Sequence, residues 1–320
     1  MKKKLKVAVL FGGKSAEHEV SVRSARNIIN ALDKKKYKIT PVKIGRNGEF
    51  YLDQIKKFDV VFPVLHGPFG EDGSMQGFLK LAGVPFIGPS VLGSAVGMDK
   101  DVAKRLLREA RIPIPKFVVL HPRGNMPFKK VSKILNLPVF VKPANLGSSV
   151  GVSKVKNKKE FNKALKDAFQ YDSKIIIEEG VEGREIECAV LGNEYPIASI
   201  PGEIIPNSEF YSYQSKYIDA KSVSKIPAVI SRQKIKEIQN LAIKVFKTLD
   251  CEGMSRIDFF LKKNGRILVN EINTIPGFTE ISMYPKMWQA NGLSLPELLD
   301  KLIDLALQRF EREGKLKSTL

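Results

Sequence analysis

Two strand-like segments near the end of the chain are the clearest candidate for a site with chemistry. Arg256–Leu261 and Ile267–Ile272 read as strands, and five residues that include Asn264 and Gly265 separate them. Asn-Gly is the strongest short-range signal for a β-hairpin, because a two-residue turn needs a positive φ at both central positions. We therefore predict a hairpin with Asn264 and Gly265 at its turn.

That turn would place two carboxylates directly opposite each other. Asp258 would face Glu271 and Arg256 would face Asn273, with all four side chains on one face because side chains alternate along a strand. Opposed carboxylates destabilise a sheet, so a compensating charge is needed. A divalent cation fits, since Mg²⁺ prefers hard oxygen ligands. Two other interpretations stay open: Arg256 neutralises the acids in an ion-pair cluster, or a bulge shifts the register.

A loop rich in glycine and serine follows a lysine in the middle of the chain. Lys142 lies near the end of a strand-like segment, and Gly147–Gly151 reads Gly-Ser-Ser-Val-Gly. Glycine permits close backbone approach, serine supplies hydrogen-bond donors, and lysine supplies a positive charge. The loop is therefore a candidate phosphate-binding loop, with an ordinary hairpin loop as the alternative.

Near the amino terminus, Gly12–Ser15 has the ending of a P-loop but not its beginning. The P-loop motif requires glycine at the position of Ala8, so we reject it. Glu17 and Glu19 then lie at the start of a predicted helix, where capping is the default role of a carboxylate. A substrate contact by Glu17 is the alternative.

Two further segments contain residues that could belong to a site. The His66–Gly73 loop follows an apolar strand at its carboxyl end, where α/β sheets place their ligands; a turn-forming role is equally compatible. Trp288 and the Met283–Met287 stretch are interpreted as packing residues rather than as a cofactor-binding motif.

The spacing of apolar side chains predicts the elements that position these residues. Strands and helices alternate in the first ninety residues, which is typical of a parallel sheet with helical crossovers. The predicted strands are Leu5–Leu10, Lys38–Ile44, Val60–Leu65, Phe117–Leu120, Pro138–Pro143, Val150–Val155, Lys174–Glu179, Arg184–Leu191, Tyr195–Ile205 and the two hairpin strands. The predicted helices are Glu19–Leu32, Met75–Ala82, Met98–Arg111, Glu160–Phe169 and Gln233–Leu249.

Composition limits the functional classes. No apolar run approaches the roughly 20 residues of a membrane span, and the apolar stretch after Met1–Lys6 is too short for a signal peptide. We therefore predict a cytoplasmic protein without membrane insertion. The net charge of +19 comes without a helix-turn-helix, zinc-finger or RNP-type motif, which favours a solvated basic surface over nucleic-acid binding. Cys188 and Cys251 lack metal-ligand spacing, which indicates buried thiols.

Together these motifs resemble those of the D-alanine–D-alanine ligase family within the ATP-grasp superfamily, over essentially the whole chain. The first motif below and Lys216-Tyr217 separate this family from other ATP-grasp enzymes. The matching segments are Gly12–Ser21, His66–Gly73, Met98–Lys100, Lys142-Pro143, Gly147–Gly151, Glu182–Glu185, Ser215–Tyr217, Arg256–Asp258 and Asn270–Thr279.

The resemblance implies a mixed α/β and α+β fold, with a Rossmann-like parallel α/β domain followed by a two-lobed ATP-grasp fold. We expect an N-terminal substrate-binding domain over residues 1–95, a central ATP-grasp subdomain over residues 96–180 and a C-terminal catalytic domain over residues 181–320. ATP would lie between the antiparallel sheets of the second and third domains. A homodimer is also implied.

The resemblance assigns nucleotide and metal contacts as well. Two Mg²⁺ ions, with Mn²⁺ as an alternative, would be bound by the hairpin residues, in agreement with the strand pairing above. Some family members have Glu-Lys where this chain has Glu178-Glu179, so only backbone recognition of adenine is expected there. The implied residues are Lys100 and Lys142 for the phosphates, Glu178, Glu179 and Val181 for adenine, Glu185 for the ribose, and Asp258, Glu271 and Asn273 for the metals. Ser149 and Lys216 are further implied cofactor-binding residues.

The implied reaction joins two D-alanines at the expense of ATP. The first carboxylate would attack the γ-phosphate to give an acyl phosphate, and the second amine would then displace phosphate through a tetrahedral oxyanion. A lid at Pro206–Tyr217 would exclude water. The implied roles are Glu17 on the first ammonium, Ser148 and Tyr217 in a network over the site, Arg256 and Gly277 at the oxyanion, Ser282 on the second carboxylate, and His66 and Met283 beside the substrates.

Two alternatives remain. Related ligases make D-alanine–D-serine or D-alanine–D-lactate products, although Tyr217 in its Lys-Tyr pattern favours an amine as the second nucleophile. The other alternative is a basic nucleic-acid-binding protein on an inactive ligase scaffold. The joint presence of the phosphate, metal and substrate residues argues against it.

Overall fold

The amino-terminal part of the chain folds around a parallel sheet. The computed structural model describes residues 3–49, 52–124, 126–205 and 223–317. In it, β1 (Leu5–Gly12) lies between β2 (Tyr37–Ile44) and β3 (Val60–Val64), and both neighbours run parallel to it. A 3₁₀ turn at Leu52–Lys57 leads into β3. The predicted parallel α/β unit is therefore confirmed.

The side chains of β1 alternate between two apolar layers. Val7 and Val9 belong to the same buried cluster as the apolar face of α1 (His18–Ala31). Leu10 belongs to a second cluster with α2 (Ser74–Leu81). A parallel strand covered on both faces reads as a continuous hydrophobic run, which explains why every residue from position 7 to position 11 is apolar.

The middle of the chain forms a four-stranded antiparallel sheet with its own core. The strand order is β4-β7-β5-β6, and α5 and α6 cover one face with Val131 and Phe161 at the centre. The elements are β4 (Phe117–Leu120), α5 (Phe128–Leu135), β5 (Val139–Pro143), β6 (Ser153–Val155), α6 (Lys158–Ala168) and β7 (Ile175–Glu179).

The remaining strands form a six-stranded antiparallel sheet. Its order is β11-β10-β8-β12-β13, with β9 paired to β8. Two helices, α4 and α7, cover one face, and α8 and α9 cover the other. The elements are α3 (Val91–Met98), α4 (Lys100–Glu109), β8 (Arg184–Gly192), β9 (Ile197–Ala198), β10 (Gly202–Ile205), β11 (Val223–Lys225), α7 (Arg232–Thr248), β12 (Gly253–Leu261), β13 (Ile267–Asn273), α8 (Met283–Ala290) and α9 (Leu295–Gly314).

One core joins the first sheet to the last. Phe62 of β3 packs edge-on against Phe278, with ring centroids 5.6 Å apart. Arg309 of α9 is buried and donates to the carbonyl oxygens of Phe86 and Gly88 at 2.7 and 2.6 Å. The amino-terminal and carboxyl-terminal sheets are thus held together by both apolar and polar contacts.

Some predicted boundaries are wrong for identifiable reasons. The predicted helix Met98–Arg111 is interrupted, because Asp99 takes an extended conformation and its carboxylate caps α4 by accepting from the amides of Asp101 and Val102. The predicted strand Tyr195–Ile205 is broken between β9 and β10. In that gap the hydroxyl of Ser199 accepts from a main-chain amide of the neighbouring strand.

Helices α3, α5, α8 and α9 were not predicted. For α9 the signal was present, since the carboxylate of Glu297 accepts from the Ser294 amide at 2.9 Å in a capping box. Its buried side chains Leu298, Leu302 and Ala306 also recur at helical spacing. In the part of the chain that the structure describes, no helix has the length and apolarity that a bilayer span requires.

Candidate active site

The β12–β13 hairpin brings the predicted carboxylates together. Asp258 pairs with Glu271 and Arg256 pairs with Asn273, as predicted. Nearer the turn, however, the pairing is shifted by one residue, and Asn270 is the extra, bulged residue. The acidic pair therefore lies in a regular stretch of ladder next to a bulge.

The predicted two-residue turn is wrong. The Gly265 amide donates to the Lys262 carbonyl at 2.9 Å and the Lys262 amide donates to the Arg266 carbonyl at 2.9 Å, so three residues form the loop. Gly265 has a φ of 78°, but Asn264 does not take a positive φ and instead accepts from the Arg266 amide through its side chain. The bulge at Asn270 cancels this one-residue error, so the register at the acidic pair is still the predicted one.

Arg256 lies between two carboxylates on the same face. Its Nε and Nη2 atoms donate to the two carboxylate oxygens of Asp258 at 2.7 and 2.8 Å. Its Nε also lies 3.1 Å from Oε2 of Glu187, which pairs with Asp258 from β8. The ion-pair cluster, which was one of the alternative interpretations of the sequence, is therefore present. Glu187 was missed, although its alternation with Glu185 on a strand was a usable signal.

The acidic face fits a divalent cation by the chemistry of its donors. Asn273 Nδ2 lies 3.0 Å from Oδ2 of Asp258, and an amide can equally present its oxygen by rotation. Asp258, Glu271 and Asn273 then offer hard oxygen ligands. Within residues 3–317, outside the three undescribed gaps, no group of three or more His, Cys, Asp and Glu side chains is arranged to hold a metal. The Asn oxygen and non-protein ligands would therefore complete the coordination.

Two lysines predicted to bind phosphate lie close to this face. Lys100 Nζ donates to the carbonyl of Leu146 at 2.6 Å and lies 3.8 Å from Oε2 of Glu271. Lys142 Nζ lies 2.5 Å from Oε2 of Glu178. The structure thus brings together positive charge from α4 and β5 beside the acidic strand β13.

The side chain of Glu178 forms ion pairs with lysines and is not available to contact adenine. It is 2% exposed, and its second oxygen forms an ion pair with Lys104. Burial by itself would raise the pKa of Glu178, but the ammonium groups of Lys104 and Lys142 outweigh it and hold the pKa below its usual range. Lys104 was not predicted; its position four residues after Lys100 on one helix face was the available signal.

A cleft of about 850 Å³ separates the central and carboxyl-terminal sheets. The serines of the glycine–serine loop, the two predicted lysines, the hinge segment (residues 178–181) and the acidic strand β13 all line it. Residues in that lining include Lys100, Lys142, Ser148, Ser149, Glu178, Glu179, Val181, Glu185 and Glu271. Most of the residues predicted to bind the nucleotide therefore line this cleft.

The hinge after β7 leaves one backbone donor for a ligand. The amides of Glu179 and Gly180 donate to the carbonyls of Lys116 and Pro138 at 3.0 and 2.9 Å. The carboxylate of Glu179 accepts from the Lys116 amide at 2.8 Å. The Val181 amide forms no hydrogen bond with the residues that the structure describes, so it can donate to a base in the cleft.

Glu17 does not cap α1. It occupies the N-cap position without a side-chain capping bond, and its carboxylate instead accepts from the hydroxyl of Ser148, 131 residues further along the chain. Ser148 and Ser149 have φ values of 53° and 60°, a conformation that is uncommon for residues other than glycine and marks functional sites. A β-carbon at Gly147 would lie 3.3 Å from Oε2 of Glu17. The glycine–serine loop thus reaches the amino-terminal carboxylate.

The His66 loop encloses the same carboxylate. His66 is 5% exposed, and its Nδ1 lies 3.8 Å from Oε1 of Glu71. Burial alone would lower the pKa of His66, but Glu71, with a smaller contribution from Glu17, outweighs burial and raises the pKa above its usual value. A β-carbon at Gly67 would lie 2.9 Å from Oε2 of Glu17, so this glycine allows close approach.

The loop after β13 carries two more predicted residues. A β-carbon at Gly277 would lie 2.9 Å from the hydroxyl of Ser282, which accepts from the Thr279 amide at 2.9 Å. Met283 is buried in the core that joins the first and last sheets, next to Gly202. Gly277 and Ser282 are therefore neighbours, while Met283 is buried among core side chains.

Three predicted features cannot be placed. Lys216, Tyr217 and the lid segment Pro206–Tyr217 lie outside the described residues. What they contribute stays a prediction.

Comparison with known proteins gives the same picture over the full length. A family model described as "D-ala D-ala ligase C-terminus" matches residues 106–304, and one described as "D-ala D-ala ligase N-terminus" matches residues 6–57 and 52–89. A D-alanine–D-alanine ligase of Oceanobacillus iheyensis is 45% identical and covers 99% of this chain and 99% of its own.

Solved structures of related ligases superpose on nearly the whole chain. The D-alanine–D-alanine ligase from Coxiella burnetii has a TM-score of 0.89 at 41% identity, covering 98% of this chain and 96% of its own. The VanG D-Ala:D-Ser ligase from Enterococcus faecalis has a TM-score of 0.86 at 38% identity, covering 95% of this chain and 100% of its own.

Proposed function

The chain belongs to the D-alanine–D-alanine ligase family, and from that premise we propose how its residues divide the family's reaction among themselves. The family joins two D-alanines with ATP for the synthesis of peptidoglycan precursors, and this chain is an enzyme of that kind with the ATP-grasp fold. The observation that carries the residue assignment is the opposed Asp258–Glu271 pair beside a cleft lined with lysines.

The nucleotide would lie in the cleft between the central and carboxyl-terminal sheets. Lys100 and Lys142 would bind the phosphates, together with the Ser149 amide or hydroxyl and Lys216. The available amide of Val181 and the main chain of Glu178 and Glu179 would recognise adenine. Glu185 would accept a hydrogen bond from the ribose.

Two Mg²⁺ ions, or Mn²⁺, would be held by Asp258, Glu271 and Asn273, whose oxygens suit them. When bound, these ions supply positive charge to the phosphate oxygens. Asp258 would have to share its oxygens between the metal and Arg256. Glu187 would keep Arg256 in place while Asp258 also binds the metal.

In the first step the carboxylate of one D-alanine attacks the γ-phosphorus of ATP and ADP leaves, which gives an acyl phosphate. Glu17 would bind the ammonium group of that D-alanine, with Ser148 fixing the carboxylate of Glu17. His66 would lie beside Glu17 in this pocket, with its Nδ1 3.8 Å from Oε1 of Glu71. Positioning of this kind is the main source of catalysis in phosphoryl transfer.

In the second step the amine of the other D-alanine attacks the acyl carbon and phosphate leaves with the bonding electron pair. The oxyanion of the tetrahedral intermediate would be stabilised by Arg256 and by the amide of Gly277, and a single such donor contributes about 3–4 kcal/mol. Ser282 would bind the carboxylate of this D-alanine, with Met283 beside it. Tyr217 would complete the network with Ser148, and the segment Pro206–Tyr217 would close over the intermediates.

The remaining assignments concern the whole molecule. We place the domain boundaries near residues 95 and 180, and we expect a homodimer, which light scattering of the purified protein tests. Since the reaction consumes ATP for a peptidoglycan precursor, we expect it to occur in the cytoplasm. Cell fractionation tests that expectation.

The direct test of this function is phosphate release from Mg-ATP with D-alanine, with L-alanine, or with D-alanine and D-lactate, with each product identified by mass. D-alanyl-D-alanine and phosphate in equal amounts, formed only with D-alanine, is the expected result. Phosphate release without a dipeptide, or no turnover by folded protein, would overturn the proposal.

A second candidate concerns the second substrate only. The likeness to a D-Ala:D-Ser ligase at 38% identity favours D-serine as a competing nucleophile. Competition between D-alanine and D-serine, with the two dipeptides measured by mass, separates the possibilities. Predominant D-alanyl-D-serine would move the specificity assignment away from D-alanine.

A further inference from the structure

A chain of buried polar contacts connects the two sheets beneath the cleft. It begins at the carbonyl of Asn270 on β13, which accepts from Lys104 Nζ at 3.1 Å. Lys104 also pairs with one oxygen of Glu178, and Lys142 lies 2.5 Å from the other. The chain therefore runs from the carboxyl-terminal sheet through α4 to the central sheet.

The end of this chain on β13 is the bulge that sets the acidic register. Asn270 is the extra residue between the shifted and the regular part of the hairpin, and Glu271 follows it directly. A bulge leaves its extra residue outside the ladder. Lys104 supplies the donor for the carbonyl of that residue, so it fixes the main chain next to Glu271.

At the other end, two ammonium groups share one carboxylate. Lys104 and Glu178 have side-chain exposures of 4% and 2%, whereas Lys142 has 16% and lines the cleft. Burial lowers the pKa of Lys104 despite the attraction of Glu178, and Lys142 lowers it further. A buried charge is kept only when it is paired and hydrogen-bonded, and Glu178 meets this condition through both lysines.

We propose that Lys104 is a positioning residue for ATP binding. It holds Glu178, so that Lys142 stays directed at the phosphates. It also holds the main chain of the bulge at Asn270, so that Glu271 faces the phosphates. This inference rests on the proposed phosphate role of Lys142. Lys104 is itself too buried to touch the nucleotide. Without it, Glu178 pairs with Lys142 alone and withdraws positive charge from the cleft.

The test compares ATP binding by calorimetry, with and without Mg²⁺, in the wild type and in Lys104→Met. We expect ATP to bind about tenfold more weakly to Lys104→Met, which corresponds to about 1.4 kcal/mol, while KM for D-alanine changes less than about twofold. Lys104→Met/Glu178→Gln should regain part of the lost affinity, because Lys142 is then no longer held by a carboxylate.

Lys244→Met is the matched control. Lys244 donates to the main-chain carbonyl of Ala110 at 2.9 Å and does not line the cleft, so ATP binding should equal that of the wild type. Lys104→Gln is the second variant should the methionine not fold, since it keeps hydrogen-bond donors at the site. Thermal melting of each variant checks the fold.

The outcomes distinguish a failure of the inference on Lys104 from a failure of the proposed phosphate role of Lys142. A lower melting temperature with unchanged ATP affinity in both Lys104 variants would reduce Lys104 to a structural residue and overturn the inference. Failure of the double variant to bind ATP more tightly than Lys104→Met would do the same. If Lys142→Met binds ATP as the wild type does, the proposed phosphate role itself is wrong.

Discussion

The two acidic regions of the active site are assembled in different ways. In the β12–β13 hairpin, Asp258 and Glu271 lie on neighbouring strands of one short segment. Around Glu17, the partner Ser148 comes from a position 131 residues away and the His66 loop from a third segment. The hairpin is fixed by local pairing, whereas the Glu17 region exists only when the sheets have packed together.

This difference determines how each region responds to change. The hairpin keeps its geometry when one side chain is replaced, because the ladder and the packing of β12 against β8 hold the backbone. The Glu17 region relies on side-chain contacts and on serines with positive φ. Substitutions in the hairpin should therefore change chemistry and leave structure, whereas those around Glu17 should change substrate affinity and stability together.

The largest effect is expected for Asp258→Asn. Loss of one carboxylate from the opposed pair removes a metal ligand and its charge, and we expect kcat to fall about a thousandfold with an unchanged melting temperature. Phosphate release measures the first and differential scanning fluorimetry the second. Glu311→Gln, on the exposed part of α9, should behave as the wild type. An active Asp258→Asn would remove this residue from the metal site.

Glu17→Gln should have the next largest effect. A charge-assisted hydrogen bond to the ammonium group is lost, so KM for the first D-alanine should rise roughly tenfold to a hundredfold, while ATP binding by calorimetry stays constant. The matched control is Glu19→Gln, two residues on, whose exposed carboxylate pairs with Arg46 at 2.7 Å. Equal changes in both variants would show that local charge, and not the contact of Glu17, is responsible.

His66→Gln tests the coupling within the Glu17 region through pH. Because the folded-state pKa of His66 is raised above its usual value of about 6.5, its stabilising effect is fully present below pH 6.5 and is lost as pH rises through the raised pKa. The difference in unfolding free energy between wild type and variant should therefore shrink from pH 6 to pH 9, by an amount on the order of 1 kcal/mol.

Denaturant unfolding at several pH values measures that difference, and NMR titration of the imidazoles identifies the residue. The chain has three histidines, so the signals can be assigned by substitution. A difference that grows with pH would contradict the raised pKa.

The smallest effect is expected at the hairpin turn. Gly265 has a φ of 78° and its nearest contact for a β-carbon is Lys234 at 3.5 Å, so Gly265→Ala strains only the backbone and should cost about 1 kcal/mol of unfolding free energy. Activity should not change, since the bulge at Asn270 isolates the acidic pair. Gly314→Ala, in a helix with open space around it, should be neutral or stabilising. A loss of activity in Gly265→Ala would mean that the turn does control the register.

Periodicity in the sequence was sufficient for the features that local geometry controls. The parallel sheet around β1 and the long strands follow from the pattern of apolar residues along the chain, whereas the pairing of Asp258 with Glu271 was predicted from the turn. The turn was beyond reach because Asn-Gly also suits a three-residue loop with a glycine at its last position. The register prediction succeeded because the bulge offset that error.

Features that depend on packing between distant segments were not accessible in the same way. From the sequence, Glu17 is interpreted as a capping residue, because no local pattern predicts its contact with Ser148. Glu187 and Lys104 were missed because their partners, Arg256 and Glu178, lie on other elements. The resemblance to a family supplied the role of Glu17, and only the folded chain supplied the contacts of the other two.

The separate core of the central sheet has a consequence for turnover. Its apolar side chains pack among themselves, while α4 packs with the carboxyl-terminal sheet and the first and last sheets share a third core. A rotation of the central sheet relative to the rest would therefore keep its own apolar cluster together. Such a rotation would instead break polar contacts, which include those of Ser148 with Glu17 and of Glu178 with Lys104.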